Sequence, residues 1–98
     1  MNIEKTADGT KLTIGLEGRL DMLTAPELDK ALPELLSGVT ELTFDFTNLE
    51  YVSSAGLRVL LSAQETMSEQ GSMVVKNVNN QILDVFEVTG FTDILTIE

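Results

Sequence analysis

Residues 45–61 carry the sequence DFTNLEYVSSAGLRVLL, the stretch that decides the fold. It predicts a buried strand, a short loop, and then a helix whose first turn opens on Ser53 and Ser54. The first turn of a helix leaves backbone N–H groups unpaired and carries a partial positive charge. A phosphate attached to or bound near either serine would therefore find hydrogen-bond donors. We predict that this helix start is the functional site.

Length and composition favour one small folded domain spanning residues 1–98. The apolar fraction of 43% and the charged fraction of 22% are ordinary for a globular protein. Sixteen acidic residues against six basic ones give a formal charge of -10, which disfavours direct binding to nucleic acid or to an anionic membrane. No signal-peptide core or membrane-length apolar run is present. We expect a cytoplasmic protein that does not insert into a membrane.

The chain contains no Cys and no His, and this narrows the possible chemistry. Disulfides, thiolate nucleophiles, imidazole bases and the usual zinc or iron ligands are all excluded. A carboxylate-only magnesium site remains possible, as does acid–base chemistry by carboxylates or lysine. These absences disfavour much enzyme chemistry, and we expect no cofactor.

The N-terminal half predicts a hairpin followed by a helix. A first strand starts at Ile3, and the Asp8-Gly9 turn leads into a second, antiparallel strand that ends at Gly18. Thr24 is a candidate helix cap with Glu27 in the capping-box position, and the helix stops at Gly38. Because a proline inside a helix removes a hydrogen bond, we expect a kink or a break at Pro33.

The C-terminal half alternates strands and helices. The third strand contains Leu42, Phe44 and Phe46, and the second helix runs from about Ser54 to Gln70, ending at Gly71. The apolar run 73–75 predicts a strand covered on both faces. A third helix from about Asn80 ends at Gly90, and residues 94–97 are a candidate edge strand.

The predicted order β-β-α-β-α-β-α-β indicates an α/β fold with a mostly parallel central sheet and an N-terminal antiparallel hairpin. In such sheets the functional crevice lies beyond the carboxyl ends of the strands. We expect two loops there, at residues 18–24 and 47–53, with Asp21 close to Ser54.

Several separated motifs together resemble the STAS domain of bacterial anti-sigma factor antagonists, and the resemblance spans nearly the whole chain. They are Gly18-Arg19-Leu20-Asp21, the strand-end Asp45, Tyr51-Val52-Ser53-Ser54-Ala55-Gly56-Leu57 and Val88-Thr89-Gly90-Phe91. The resemblance implies the STAS fold and a phosphorylation switch in bacterial transcription regulation by partner switching. The unphosphorylated protein would bind an anti-sigma factor that is also a serine kinase, and so release a sigma factor. Phosphorylation would end that binding, and a metal-dependent serine phosphatase would reset it.

The family's acceptor is the Ser or Thr two residues before the motif glycine, which corresponds to Ser54. The family usually has Asp before the acceptor, where this chain has Ser53, and a hydroxyl residue after it, where this chain has Ala55. Ser53 is therefore an alternative acceptor. The candidate partner-binding residues are Asp21, Met22, Thr24, Ser53, Gly56 and Arg58.

Each of these residues also has a purely structural interpretation. The serines are good helix caps, Asp21 suits a turn, and Gly56 suits close packing of the helix on the sheet. Met22 and Leu23 are either an exposed partner contact or a staple against the following helix. Arg19 and Arg58 are either phosphate contacts or solvated surface residues. Asp45 is expected to tether its loop to backbone.

Two other functions stay open. The chain could be a STAS regulatory subunit of a membrane transport system, either an ABC-type lipid exporter or an anion carrier, that is not phosphorylated. It could also be a small enzyme or nucleotide-binding protein that uses the helix N-terminus for phosphate. The absence of His, Cys and a Gly-rich, Lys-containing phosphate loop disfavours the last of these.

Overall fold

The computed structural model of the chain describes all residues, 1–98. The strands are β1 (Asn2–Asp8), β2 (Lys11–Leu20), β3 (Glu41–Val52) and β4 (Ser72–Lys76). The helices are α1 (Ala25–Leu35), α2 (Ser54–Gln70) and α3 (Asn80–Thr89), followed by a 3-10 turn, Phe91–Asp93. The sheet order is β1-β2-β3-β4, with β1 antiparallel to β2 and the other neighbours parallel. The predicted α/β class and the N-terminal hairpin are confirmed.

Only one face of the sheet is buried. Apolar residues alternate inward along β2 and β3, for example Ile14 and Phe44, which are neighbours in register and fully buried. Threonines at the positions between them face outward. In β4, Met73 and Val75 are buried but Val74 is only half-buried, so the prediction that this strand is covered on both faces was wrong. The helices cover the buried face of the sheet. No helix has the length and apolar composition needed to span a membrane.

Both central strands run further than predicted. β2 continues past Gly18 to Leu20, and β3 continues to Val52. Two register shifts, at Gly15/Glu17 and Gly18/Arg19, each place an extra residue in β3. Such bulges interrupt the alternation of buried side chains that marks a regular strand. The connection predicted at 47–53 therefore shrinks to Ser53, and the one predicted at 18–24 shrinks to residues 21–24.

Helix α1 continues through Pro33 to Leu35, so of the predicted kink or break, the break was wrong. Pro33 lies close to the end of the helix, where the missing N–H affects a single hydrogen bond, to the Asp29 carbonyl. The next bonds of the helix still form, since Leu36 N–H donates to the Leu32 carbonyl at 2.8 Å.

The predicted last strand is reduced to one bridge. Ile97 pairs in parallel with Val75, and the Val75 N–H donates to the Thr96 carbonyl at 2.9 Å. The C-terminus thus shields the edge of β4 at one point only.

Helix α2 ends at Gly71, as predicted, because the chain there passes against the backbone that leads into β3. A Cβ at position 71 would lie 1.9 Å from the Thr40 carbonyl oxygen, closer than any side-chain atom can approach. Gly90 ends α3 in the left-handed conformation, with φ 80°, also as predicted.

We predict that Gly71→Ala lowers the free energy of unfolding by about 2–4 kcal/mol, because the backbone must move to admit the methyl group. Gly15→Ala is the matched control: its Cβ would lie 3.8 Å from the Glu4 Cβ, an ordinary contact. We expect that control to stay within about 1 kcal/mol of wild type. Urea unfolding measures both. Equal stability of the two variants would contradict the predicted clash.

Candidate functional site

The ends of β2 and β3 bring the two predicted site segments together. Leu20 pairs with Val52, the last residue of β3, and the Ser53 N–H donates to the Leu20 carbonyl at 2.9 Å. The loop that begins at Asp21 therefore starts beside the N-terminus of α2. The prediction that both segments emerge at one sheet edge is confirmed.

Ser53 is the N-cap of α2. Its backbone is extended, with φ -93° and ψ 177°, and its Oγ accepts a hydrogen bond from the Gly56 N–H at 3.4 Å. Its carbonyl accepts the first helical bond, from the Leu57 N–H, at 2.9 Å. The side chain is half-buried. The capping interpretation of Ser53 is confirmed, and its hydroxyl is already engaged with the helix.

Ser54 occupies the first position inside α2 and differs from Ser53 in both exposure and bonding. It is exposed, and no hydrogen bond within the chain involves its hydroxyl. Of the two adjacent hydroxyls, only the one on Ser54 is both free and open to solvent.

Gly56 sets how closely α2 approaches the sheet. Gly56 is buried. A Cβ at this position would lie 2.7 Å from the carbonyl oxygen of Leu20 and 2.8 Å from the Cγ of the Leu20 side chain. The packing interpretation of Gly56 is therefore the one that its surroundings support. Gly56 contributes to the site by holding Ser53 and Ser54 against the end of β2.

Asp21 and Thr24 brace the loop between β2 and α1. The Asp21 Oδ1 accepts from the Leu23 N–H at 3.0 Å and the Thr24 N–H at 3.2 Å. The Thr24 hydroxyl donates to the Arg19 carbonyl at 2.6 Å and accepts from the Asp21 N–H at 2.9 Å. Thr24 is the N-cap residue but its side chain makes no cap bond to α1, so the predicted capping box with Glu27 does not form. The hydroxyl is instead used within the loop.

The hydrogen bond from the Leu23 N–H is the main reason that the pKa of Asp21 lies below its usual value. Burial is the next largest influence and raises the pKa, whereas the two Thr24 donors and the charge of Arg19 lower it further. Asp21 thus stays ionised at neutral pH and holds the loop in one conformation.

Met22 and Leu23 project from this braced loop into solvent. Their exposed fractions are 73% and 83%, so of the two interpretations given for them the staple against α1 is wrong. Met22 lines a cavity of about 230 Å³ between the starts of α1 and α2. The other lining residues are Ala25, Pro26, Asp29, Ala55, Arg58 and Val59. An exposed methionine at the mouth of such a cleft is typical of a protein-binding surface.

The two arginines near the site have different surroundings. The Arg19 Nε lies 3.6 Å from the Asp21 Oδ2, and its guanidinium carbon lies 4.5 Å from the centre of the Tyr51 ring. Arg58 is exposed and takes part in none of the chain's ion pairs. Arg19 is held in place, and Arg58 is free.

Sequence reasoning missed two asparagines that support this end of the sheet. The Asn77 Nδ2 donates to the Asp45 Oδ1 at 2.9 Å, and Asp45 also accepts from the Thr47 N–H at 3.0 Å and the Thr47 hydroxyl at 2.6 Å. Asn79 caps α3 and donates to the Leu49 carbonyl at 3.0 Å. Asn79 lies just before α3, a position where asparagine is a recognisable N-cap signal in the sequence. Asn77 gives no such signal, because its partner Asp45 is distant in the chain.

The predicted tethering role of Asp45 is confirmed. Its bond from Asn77 is the main cause of a lowered pKa, with the two Thr47 donors next in importance. No group of three acidic side chains lies close enough to hold a metal ion.

We predict that carboxyl NMR titration places the pKa of Asp21 below its usual value near 3.8, and that Thr24→Val raises it, because a hydroxyl donor is lost. Since the folded-state pKa is the lower one, this stabilisation is present above the unfolded-state pKa and is lost as pH falls through the folded-state pKa. Thr24→Ser, which keeps the hydroxyl, is the control. A normal Asp21 pKa in wild type would contradict the loop geometry.

Comparison with known proteins agrees with this geometry. A family model described as "Mlab, STAS domain" matches residues 3–96. The anti-sigma-B factor antagonist of Listeria monocytogenes is 31% identical over 104 residues, which cover 100% of this chain and 90% of that protein.

Solved structures share the fold. An anti-sigma factor antagonist from Mycobacterium paratuberculosis has a TM-score of 0.88 at 20% identity, covering 98% of this chain and 83% of that one. The phosphorylated form of SpoIIAA, a Bacillus cell fate determinant, has a TM-score of 0.68 at 17% identity, covering 99% of this chain and 91% of that one. The family model and the Listeria relative each span nearly all of the present sequence, and the chain therefore belongs to the STAS-domain family.

Proposed function

We propose that this chain is an anti-sigma factor antagonist that acts in the bacterial cytoplasm and is switched by phosphorylation of Ser54. The unphosphorylated form binds an anti-sigma factor that is also a serine kinase, and so releases a sigma factor. The kinase transfers the γ-phosphoryl group of ATP to the Ser54 Oγ, with ADP as leaving group, and binding ends. A serine phosphatase hydrolyses the phosphoserine and resets the protein. The chain is thus a substrate and not a catalyst.

The observation that carries this proposal is the contrast between the two serines. Ser54 is exposed and its hydroxyl is free, whereas the Ser53 hydroxyl accepts the cap bond from Gly56 and is half-buried. The names of the relatives support the same function, since the Listeria protein is an anti-sigma-B factor antagonist and SpoIIAA was solved in a phosphorylated form.

Electrostatics favour a switch that acts on the partner and leaves the fold intact. A phosphate on Ser54 adds nearly two negative charges next to the positive end of α2, which is favourable for the domain itself. A partner seated on Met22 and the neighbouring cleft would bury that charge beside Asp21. A hundredfold loss of affinity needs only about 3 kcal/mol, within the range of one desolvated phosphate.

The main test is a binding and labelling experiment with the kinase of the source organism. Immobilised wild type should retain a serine kinase, and Ser54→Asp should retain at least about tenfold less, because it adds charge at the docking surface. Ser54→Asn has a similar shape without the charge and should keep most of the binding. With the retained kinase and ATP, wild type should gain one phosphate by mass spectrometry, and Ser53→Ala should gain one as well.

The other possible outcomes of this experiment distinguish the alternative acceptor and the alternative functions. No phosphate on wild type would refute the switch, and one phosphate on Ser54→Ala would move the acceptor to Ser53. Retention of a permease, with binding indifferent to Ser54→Asp, would favour a regulatory subunit of a membrane transport system. Tight nucleotide binding by calorimetry, with turnover that is lost in Asp21→Asn, would favour an enzyme.

We also predict that Met22→Ala weakens kinase binding about tenfold, because it removes an exposed apolar contact beside the cleft. Val88→Ala is the matched control, since Val88 on α3 is equally apolar and 88% exposed. Titration calorimetry compares the two, and unfolding curves should show both variants as stable as wild type. Equal affinity of Met22→Ala and wild type would remove Met22 from the docking surface.

A further inference from the structure

Arg58 lies one helical turn after Ser54 and has no partner of its own. The three ion pairs of the chain all involve other cations, and Arg58 donates no hydrogen bond to the protein. Three of the six basic residues form no ion pair, namely Lys5, Lys30 and Arg58, and Arg58 is the one that lies in α2.

The spacing of four residues along α2 places Arg58 within reach of Ser54. Residues four apart lie on the same helix face, with Cβ atoms about 5–6 Å from each other. Helical side chains lean toward the N-terminus, so a long side chain covers the preceding turn. Arg58 lines the cavity of about 230 Å³ together with Met22 and with Ala55, the residue that follows Ser54.

No other charge holds Arg58 in a fixed position. Between Ser54 and Ser62, the two positions one turn away on either side, α2 contains no carboxylate. Asp29 of α1 lines the same cavity but forms no ion pair with Arg58. Asp21 is paired with Arg19. The guanidinium is therefore available to a new anion at the start of α2.

We propose that Arg58 is an intramolecular phosphate-binding residue: when Ser54 carries a phosphoryl group, the Arg58 guanidinium pairs with it. This inference rests on the proposed function, since it assigns a partner to the modified Ser54. A guanidinium donates two parallel hydrogen bonds to phosphate oxygens, a geometry that lysine cannot offer.

The pairing changes the docking surface in two ways at once. Phosphorylation adds negative charge at Ser54, and it also withdraws the Arg58 cation from the cleft beside Met22. A partner that places an acidic group near Arg58 in the unphosphorylated complex would lose that contact and meet the phosphate. The switch is thereby sharper than repulsion alone would make it.

The test installs phosphoserine at position 54 by genetic incorporation, so that no kinase is needed. Phosphorus NMR then measures the second pKa of the phosphate in wild type and in Arg58→Gln. We expect that pKa to be lower in wild type by about half a unit, about threefold in proton affinity, because a nearby cation favours the dianion. The difference should shrink at high salt, and the Arg58 Nε–H signal should move on phosphorylation.

Two controls separate the pairing from a general charge effect. Lys5→Gln removes the same charge from β1 and should leave the phosphate pKa at the wild-type value. Phosphoserine installed at position 53, outside the helix, should titrate identically with and without Arg58→Gln. Equal pKa values for phosphorylated wild type and Arg58→Gln would overturn the inference, even if the kinase modifies Ser54. Failure of the kinase to modify Ser54, with an Arg58-dependent titration, would instead refute only the proposed function.

Discussion

The first turn of α2 packs directly on Leu20 at the end of β2, and only a residue without a Cβ fits at that contact. That residue is Gly56, where a Cβ would lie 2.7 Å from the Leu20 carbonyl oxygen. The same carbonyl accepts the Ser53 N–H at 2.9 Å. This close approach brings together the ends of β2 and β3, the start of α2 and the loop after β2. It also sets the positions of the two serines.

Polar contacts hold the loop after β2 in place, and the apolar side chains of this loop are exposed to solvent. Asp21 and Thr24 satisfy one another's backbone groups, so Met22 and Leu23 cannot fold back onto α1. A surface of this kind combines a preorganised backbone with exposed apolar contacts, which lowers the entropy lost on binding. Under the proposed function, Ser54 and Arg58 are the groups through which charge regulates that surface.

Much of this architecture is predictable from the chain. Regular alternation in β2, the helix end at Gly71 and the left-handed Gly90 all follow from local rules that hold in the structure. The prediction was wrong in three places. Bulges interrupt the alternation in the second half of β3, Pro33 is accommodated near the end of α1, and the C-terminal segment forms a single bridge to β4.

The sequence by itself determined the fold class, the family and the location of the candidate site, because periodicity, turn residues and short motifs are local properties. It also determined that two adjacent hydroxyls stand at the start of a helix. Only the tertiary structure distinguished them. Helix α2 begins after Ser53, so the Ser53 hydroxyl accepts the cap bond from the Gly56 N–H, and Ser54 is exposed and without a hydrogen bond. The sequence did not decide which serine is the cap, whereas in the structure the hydrogen bond from Ser53 to Leu20 and the packing of Gly56 on Leu20 join this helix start to a strand that is distant in the chain.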